Sequence, residues 1–189
     1  MKTTLYILIG LVIAGGAFYY FWPTEEVVPN EEEMPVATMK TYTNPKYGLS
    51  FSYPENYQLT EHDAEGSAQR EHHVIVLMRT EDLPLPEAGE GPPSITIEMF
   101  QNNLDSQTTE GWIRGSSASN FKLGEGRLSE ISLDGKPALS YRWSGLYEGT
   151  TVAIAQPRWI YAFSVTYLEP GADIVQDFVT VRDSVKITP

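Results

Sequence analysis

The 189-residue sequence contains no cysteine. This absence excludes disulfide bonds, thiolate zinc sites, thiol nucleophiles and lipid attachment through an N-terminal cysteine. Basic residues are few, because 13 Lys and Arg stand against 25 Asp and Glu, for a formal net charge of −12. Nucleic acids and anionic lipid headgroups select positive surfaces, so we predict neither as a main partner. The apolar share of 41% is nevertheless that of a chain that folds around a core.

Sequence motifs of catalysis are also missing. The stretch Gly115–Ser119 (GSSAS) lacks the closing glycine of a G-x-S-x-G nucleophile elbow. The sequence has no G-x-x-x-x-G-K-[ST] phosphate loop, and Gly124-Glu125-Gly126 precedes a predicted strand, whereas a dinucleotide fingerprint opens a helix. We therefore predict no cofactor and a non-catalytic role.

One uncharged segment dominates the N-terminus, at residues 5–22 (LYILIGLVIAGGAFYYFW). As a helix it would be about 27 Å long, close to the ~30 Å hydrocarbon thickness of a bilayer. Three aromatic residues, Tyr19, Tyr20 and Trp22, end the segment, as expected at a membrane–water interface. We therefore predict a transmembrane helix at 5–22 that contacts the lipid bilayer.

The orientation of this predicted helix follows from its flanks. Lys2 is the only basic residue before Lys40. The positive-inside rule therefore places residues 1–4 in the cytoplasm and the C-terminal domain outside the cell membrane. A cleaved signal peptide, and hence a secreted protein, is the alternative, because Ala14–Ala17 (AGGA) offers small residues for cleavage. The apolar run continues past that site, which favours an uncleaved anchor.

An acidic linker follows at residues 23–39 (PTEEVVPNEEEMPVATM). It contains five glutamates, three prolines and no basic residue. Charge repulsion and the fixed φ angles of proline keep such a segment extended and solvated. The remaining domain, 40–189, has a net charge of −8, so part of the overall acidity belongs to the linker.

The domain at 40–189 contains many strand patterns joined by turn signals. The predicted strands are Leu49–Tyr53, Val74–Met78, Ser94–Phe100, Arg127–Leu133, Pro137–Tyr147, Thr150–Gln156 and Trp159–Leu168. Asp134-Gly135 predicts a type I′ hairpin turn, Glu148-Gly149 a second turn, and Gln156-Pro157-Arg158 a break. Sequential strands joined by turns predict an antiparallel meander.

Two helices are predicted, at Asn103–Ser119 and Ala172–Val185. In the second, four apolar residues form one stripe: Ile174, Phe178, Val181 and Val185. Alternating aromatic residues lie on one face of the last long strand and of the strand at 137–147. We interpret both rows as a sheet surface covered by the C-terminal helix, with an exposed ligand groove as the alternative.

Several of these stretches together resemble PsbP-like domains. The matching stretches are Tyr47–Tyr57 (YGLSFSYPENY), Asp134–Tyr141 (DGKPALSY), Ile160–Tyr167 (IYAFSVTY) and Phe178–Ile187 (FVTVRDSVKI). The resemblance implies an α+β fold, an α/β/α sandwich with a central antiparallel sheet. It also implies a tendency to dock onto other proteins, since the family includes photosystem extrinsic subunits, a regulator that binds a GTPase and anchored bacterial proteins.

Two groups of residues are candidates for a site. His62, His72 and His73 lie close together in the sequence, and His62, His72 and Asp63 are the candidate metal ligands. On a strand His72 and His73 point to opposite faces, so at most one of them joins His62. The second group is the Pro-rich loop 81–93, where Glu81, Asp82, Glu87 and Glu90 are the candidate partner contacts.

The sequence thus predicts a membrane-anchored, extracytoplasmic binding module. Its expected partner is another envelope or membrane protein, and no nucleic acid is expected. The alternative is an extracytoplasmic, metal-dependent enzyme that uses the region of His62, His72 and His73.

Overall fold

The computed structural model describes residues 38–64 and 70–188. The strands within these residues are β1 Met39–Asn44, β2 Leu49–Pro54, β3 Tyr57–Asp63, β4 His72–Arg79, β5 Ile95–Gln101, β6 Ser129–Leu133, β7 Lys136–Ser144, β8 Glu148–Ala155, β9 Trp159–Tyr167 and β10 Lys186–Ile187. The α-helices are α1 Thr109–Gly115 and α2 Asp173–Ser184. The predicted membrane helix at 5–22 and nearly all of the predicted linker lie outside the described residues. Within those described, no helix has the length and apolar character needed to cross a membrane.

Seven strands form one sheet, in the order β3-β4-β5-β9-β8-β7-β6. Every neighbouring pair is antiparallel, which confirms the predicted pairing. The chain forms two meanders rather than one, since β5 lies beside β9 and the connection after β5 carries the chain through α1 to the far edge at β6. A separate small sheet has the order β1-β2-β10.

The main core lies between one face of the large sheet and α2. Alternating residues of β9, from Trp159 to Tyr167, point to this face and are almost fully buried. The predicted stripe of α2 packs against them through Ile174, Phe178 and Val181. The interpretation of this aromatic row as core, covered by the C-terminal helix, is confirmed.

The opposite face of the large sheet carries a second core. Tyr141 and Trp143 of β7 pack there with Trp112 and Ile113 of α1 and with Phe121. The prediction that the C-terminal helix covers this row as well is wrong. Because side chains alternate along a strand, the odd residues of β7 face away from α2 and are covered by α1.

Two local predictions are corrected by the structure. The helix predicted at Asn103–Ser119 is only α1, Thr109–Gly115, because Thr108 caps its first turn and Ser106 has a φ of 50°, which is not helical. The turn predicted at Glu148-Gly149 lies inside β8. The turn predicted at Asp134-Gly135 is confirmed, since φ is 50° and 72° at these residues, as a type I′ turn requires.

Candidate functional site

The two neighbouring histidines on β4 lie on opposite faces of the sheet, as the alternation along a strand predicts. His72 bonds to Glu98 at 2.9 Å through its Nε2 atom, and its ring stacks on Phe100 with the centroids 4.0 Å apart. His73 points to the α2 side, where its ring stacks on Tyr47. The two imidazoles therefore cannot share one ligand.

His73 is buried between two carboxylates. His73 is 8% exposed. Its Nδ1 atom lies 2.7 Å from Asp63 Oδ1, and its Nε2 atom lies 3.2 Å from Glu61 Oε2. An ionised carboxylate only accepts hydrogen bonds, so a ring N–H of His73 is the donor to its carboxylate partner. Glu61 also accepts a hydrogen bond of 2.7 Å from the Tyr42 hydroxyl. This network joins β1 of the small sheet to β3 and β4 of the large one.

The pKa values of this network follow from those contacts. The hydrogen bond from Tyr42, and then the one from His73, lower the pKa of Glu61. The hydrogen bond from His73 lowers the pKa of Asp63. Burial and the bond to Glu61 raise the pKa of Tyr42. The contacts of the network therefore favour the ionised form of both Glu61 and Asp63.

The three candidate metal ligands are not brought together. His62 and His72 share one face of the sheet, but Asp63 lies on the other, with its carboxylate against His73. The reason is again strand alternation, because residues 62 and 63 are neighbours on β3. Within residues 38–64 and 70–188, no three His, Asp or Glu side chains lie where they could hold a metal ion together.

The acidic loop lies at one end of the large sheet. This end, where β4, β7 and β9 finish and β3, β5 and β8 begin, is here called the proximal end. The four candidate contact residues are exposed: Glu81, Asp82, Glu87 and Glu90. The Tyr147 hydroxyl, in the turn between β7 and β8, donates a hydrogen bond of 2.6 Å to the carbonyl of Gly91. The loop is thereby joined to the neighbouring turn.

The proximal end is also where β1 begins, directly after Thr38. Thr38 accepts a backbone hydrogen bond of 2.8 Å from Glu55, in the turn between β2 and β3. The next residue, Asn56, accepts one of 2.9 Å from Thr80, at the start of the acidic loop. The sequence of the predicted linker therefore joins the domain at this end.

Exposed leucines collect at the proximal end. Leu146 in the β7–β8 turn is 66% exposed, and Leu168 just after β9 is 72% exposed. Leu123 is 53% exposed and lies beside Gly145 of the same turn, and Leu85 in the acidic loop is 47% exposed. Leu104, which is 59% exposed, lies at the opposite end, in the loop after β5. The other four leucines thus lie at the same end of the sheet, in four different connecting segments. An exposed apolar patch is typical of a binding site.

A groove of about 920 Å³ lies between α2 and the β7 side of the sheet. Val175, Phe178 and Val179 form its wall on α2, and Val165 of β9 lies at its base. The charged residues that line it are Arg127, Arg142, Arg182, Glu125 and Glu148. Three arginines are therefore present in one groove of an acidic domain.

Sequence reasoning did not identify the leucines or the groove. The strands predicted at Pro137–Tyr147 and Trp159–Leu168 include Leu146 and Leu168, whereas in the structure β7 ends at Ser144 and β9 at Tyr167, which leaves both leucines in exposed connections. Arg142 stands between Tyr141 and Trp143, so strand alternation places it on the face opposite the aromatic pair. No sequence pattern indicates the groove beside α2, because the groove depends on where the helix packs on the sheet.

The sequence matches no protein-family model and no curated protein. The fold is similar to the solution structure of cyanobacterial PsbP (CyanoP) from Synechocystis sp. PCC 6803, with a TM-score of 0.52 and 14% identity over 82% of this chain and 96% of that chain. A crystal structure of a Bacteroides thetaiotaomicron VPI-5482 protein aligns with a TM-score of 0.48 and 13% identity, over 79% of this chain and 48% of the other.

The topology and the likeness to the CyanoP structure define the fold class of the domain. It is an α+β domain built on a central antiparallel sheet, with a helix on each face. The fold is PsbP-like, as its motifs predicted.

Proposed function

We propose that this chain is a membrane-anchored, extracytoplasmic binding module that works without catalysis. Its proximal end docks on another envelope or membrane protein. The observation that carries the proposal is the group of exposed leucines at the end where the linker sequence joins the domain. Covering such solvent-exposed apolar side chains with a partner removes apolar surface from water, which favours binding.

The sequence supports the membrane part of this proposal. The uncharged run at 5–22 is long enough to span a bilayer, and the acidic linker would hold the domain away from an anionic lipid surface. A domain tethered in this way meets membrane proteins at high effective concentration. A modest apolar surface is then sufficient for a specific contact.

The acidic residues of the proximal end indicate a partner surface of opposite charge. Glu81, Asp82, Glu87 and Glu90 lie on the loop of the proximal end, beside Leu85. A polar or charged rim around an apolar centre is the common arrangement of a transient protein interface. We therefore expect a partner surface that is apolar at its centre and basic at its edge.

Site-specific photo-crosslinking in native membranes tests the proposal. A photoreactive residue replaces Leu146 in one full-length variant and Leu104, at the opposite end, in a matched control of similar exposure. We expect a discrete crosslinked membrane protein from position 146 and none from position 104. Equal products from the two positions, or products from position 104 alone, would contradict docking through the proximal end.

A further inference from the structure

The groove beside α2 exists because the helix covers only part of its side of the sheet. α2 contacts β2 and β9. On β7, which lies two strands away from β9, Arg142 and Ser144 of the same face are exposed. The groove of about 920 Å³ is the space left between the helix and this uncovered part of β7.

Two of the three arginines of this groove, Arg127 and Arg142, have a weak partner or none among the described carboxylates. No carboxylate of residues 38–64 and 70–188 lies within 4.0 Å of the Arg142 guanidinium, and that residue is exposed. Arg127 contacts only Glu125 at 3.6 Å, with both side chains more than 80% exposed. Arg182 donates to its sequence neighbour Asp183 through Nη2 at 2.7 Å and Nε at 2.8 Å, and its side chain is 21% exposed. The Arg127–Glu125 pair is exposed and therefore weak, so an incoming carboxylate can replace it.

The helix side of the groove combines apolar and basic groups in one row. Val175, Val179 and Arg182 are at positions i, i+4 and i+7 of α2, and therefore lie on one face. The row is about 10 Å long at 1.5 Å per residue, and an extended peptide covers that distance with about three residues. A segment lying along the row would place apolar side chains against the two valines and a carboxylate at the arginine.

We propose that this groove binds an extended, acidic segment of a partner polypeptide. Its carboxylates pair with Arg142 and Arg182, and its apolar side chains contact Val175 and Val179. A guanidinium matches a carboxylate in planar, bidentate geometry, which gives specificity as well as affinity. The net charge of −8 on the domain disfavours long polyanions, so the ligand is a polypeptide of mixed acidic and apolar composition. This inference does not rest on the proposed anchor, and its groove adjoins the proximal end through Leu123 and Glu148.

Binding of two synthetic peptides to the full-length chain in zwitterionic nanodiscs tests the proposal. The probe is a labelled ten-residue peptide of alternating Glu and Val, and its matched control has Gln in place of Glu. We expect the Glu peptide to bind about tenfold more tightly than the Gln peptide in fluorescence anisotropy at low salt. Equal affinities for the two peptides would overturn the proposal.

Two charge-reversal variants locate the site. Arg142→Glu is expected to weaken binding of the Glu peptide about tenfold. Arg114→Glu changes the net charge equally, but Arg114 lies on α1, which covers the other face of the sheet, and should change the affinity less than about twofold. Equal losses in both variants would show a general charge effect and contradict a groove site. Glutarate is tested as a competitor of the labelled Glu peptide. If glutarate at the same concentration as the peptide displaced it completely, the groove would be a site for small carboxylates and the proposed peptide site would be wrong.

Discussion

At the residue scale, Asp134 fixes the β6–β7 hairpin to the C-terminal strand. Its carboxylate accepts hydrogen bonds from Lys136 at 2.8 Å, Lys186 at 3.2 Å and the backbone of Ile187 at 3.0 Å. The bond from Lys136 and the one from the Ile187 backbone lower the pKa of Asp134 well below its usual range. The ionised form therefore stabilises the folded state.

Replacement of Asp134 by Asn tests this assignment. Asn tolerates the positive φ of 50° at this position, so the turn itself should persist. We expect Asp134→Asn to lower the free energy of unfolding by about 1 kcal/mol at pH 7. Because the folded pKa is depressed, the contribution is complete above pH ~4, the ordinary range of aspartate, and declines as the pH falls below it.

Urea unfolding of both proteins from pH 7 to pH 3 measures the difference. A stability gap that narrows below pH 4 agrees with a carboxylate that is ionised in the folded state. A gap that stays constant over this range would show that charge at Asp134 has no part in holding the C-terminal strand.

At the element scale, Gly149 determines how β7 and β8 pair. A Cβ atom added at Gly149 would overlap the ring of Trp143, its cross-strand neighbour. The indole can lie flat over this strand only because residue 149 has no side chain. Its Nε1 atom then reaches Thr151 Oγ1 at 3.0 Å, which satisfies the buried donor.

We therefore expect Gly149→Ala to lower the free energy of unfolding by about 2 kcal/mol or more, through overpacking of the α1-side core. Gly115→Ala is the matched control, because a Cβ at Gly115 meets nothing within 4 Å. The control should leave the stability within about 0.5 kcal/mol or raise it slightly. Melting temperatures of both variants report the result, and equal values would contradict the packing argument.

The same elements show what a sequence can and cannot predict. The interior strands were predictable because Val74–Met78 and the odd residues of β9 have the periodicity of buried strands. β1 and β3 carry mostly polar, exposed residues at sheet edges, so their patterns did not distinguish them from loops. The dipeptide Glu148-Gly149 favours a turn in the sequence, whereas in the structure Gly149 lies within β8 and makes room for Trp143 of the adjacent strand.

The candidate site was less predictable than the fold. Opposite faces for His72 and His73 follow from the sequence, because strand alternation is local. The partners of His73 do not, since Tyr42, Glu61 and Asp63 meet it only when two sheets come together. The groove depends likewise on the position of α2 over β9, which no local pattern specifies.

At the scale of the whole molecule, the proximal end unites three separate features. Thr38, just before β1, lies there, the acidic loop lies there, and Leu123, Leu146 and Leu168 are exposed there. None of these leucines contributes to the cores, so they are free to serve binding. Replacement by serine should therefore change binding without changing stability.

Co-isolation of partners from native membranes tests the central claim most directly. The comparison uses the full-length chain, the double variant Leu146→Ser/Leu168→Ser and the control Leu104→Ser, with melting temperatures measured for each. The account predicts that the double variant loses at least about 90% of the membrane protein crosslinked from position 146, while the control retains it, and that all three proteins melt within about 2 °C of one another. Retention of that protein by a folded double variant would contradict docking through the proximal end.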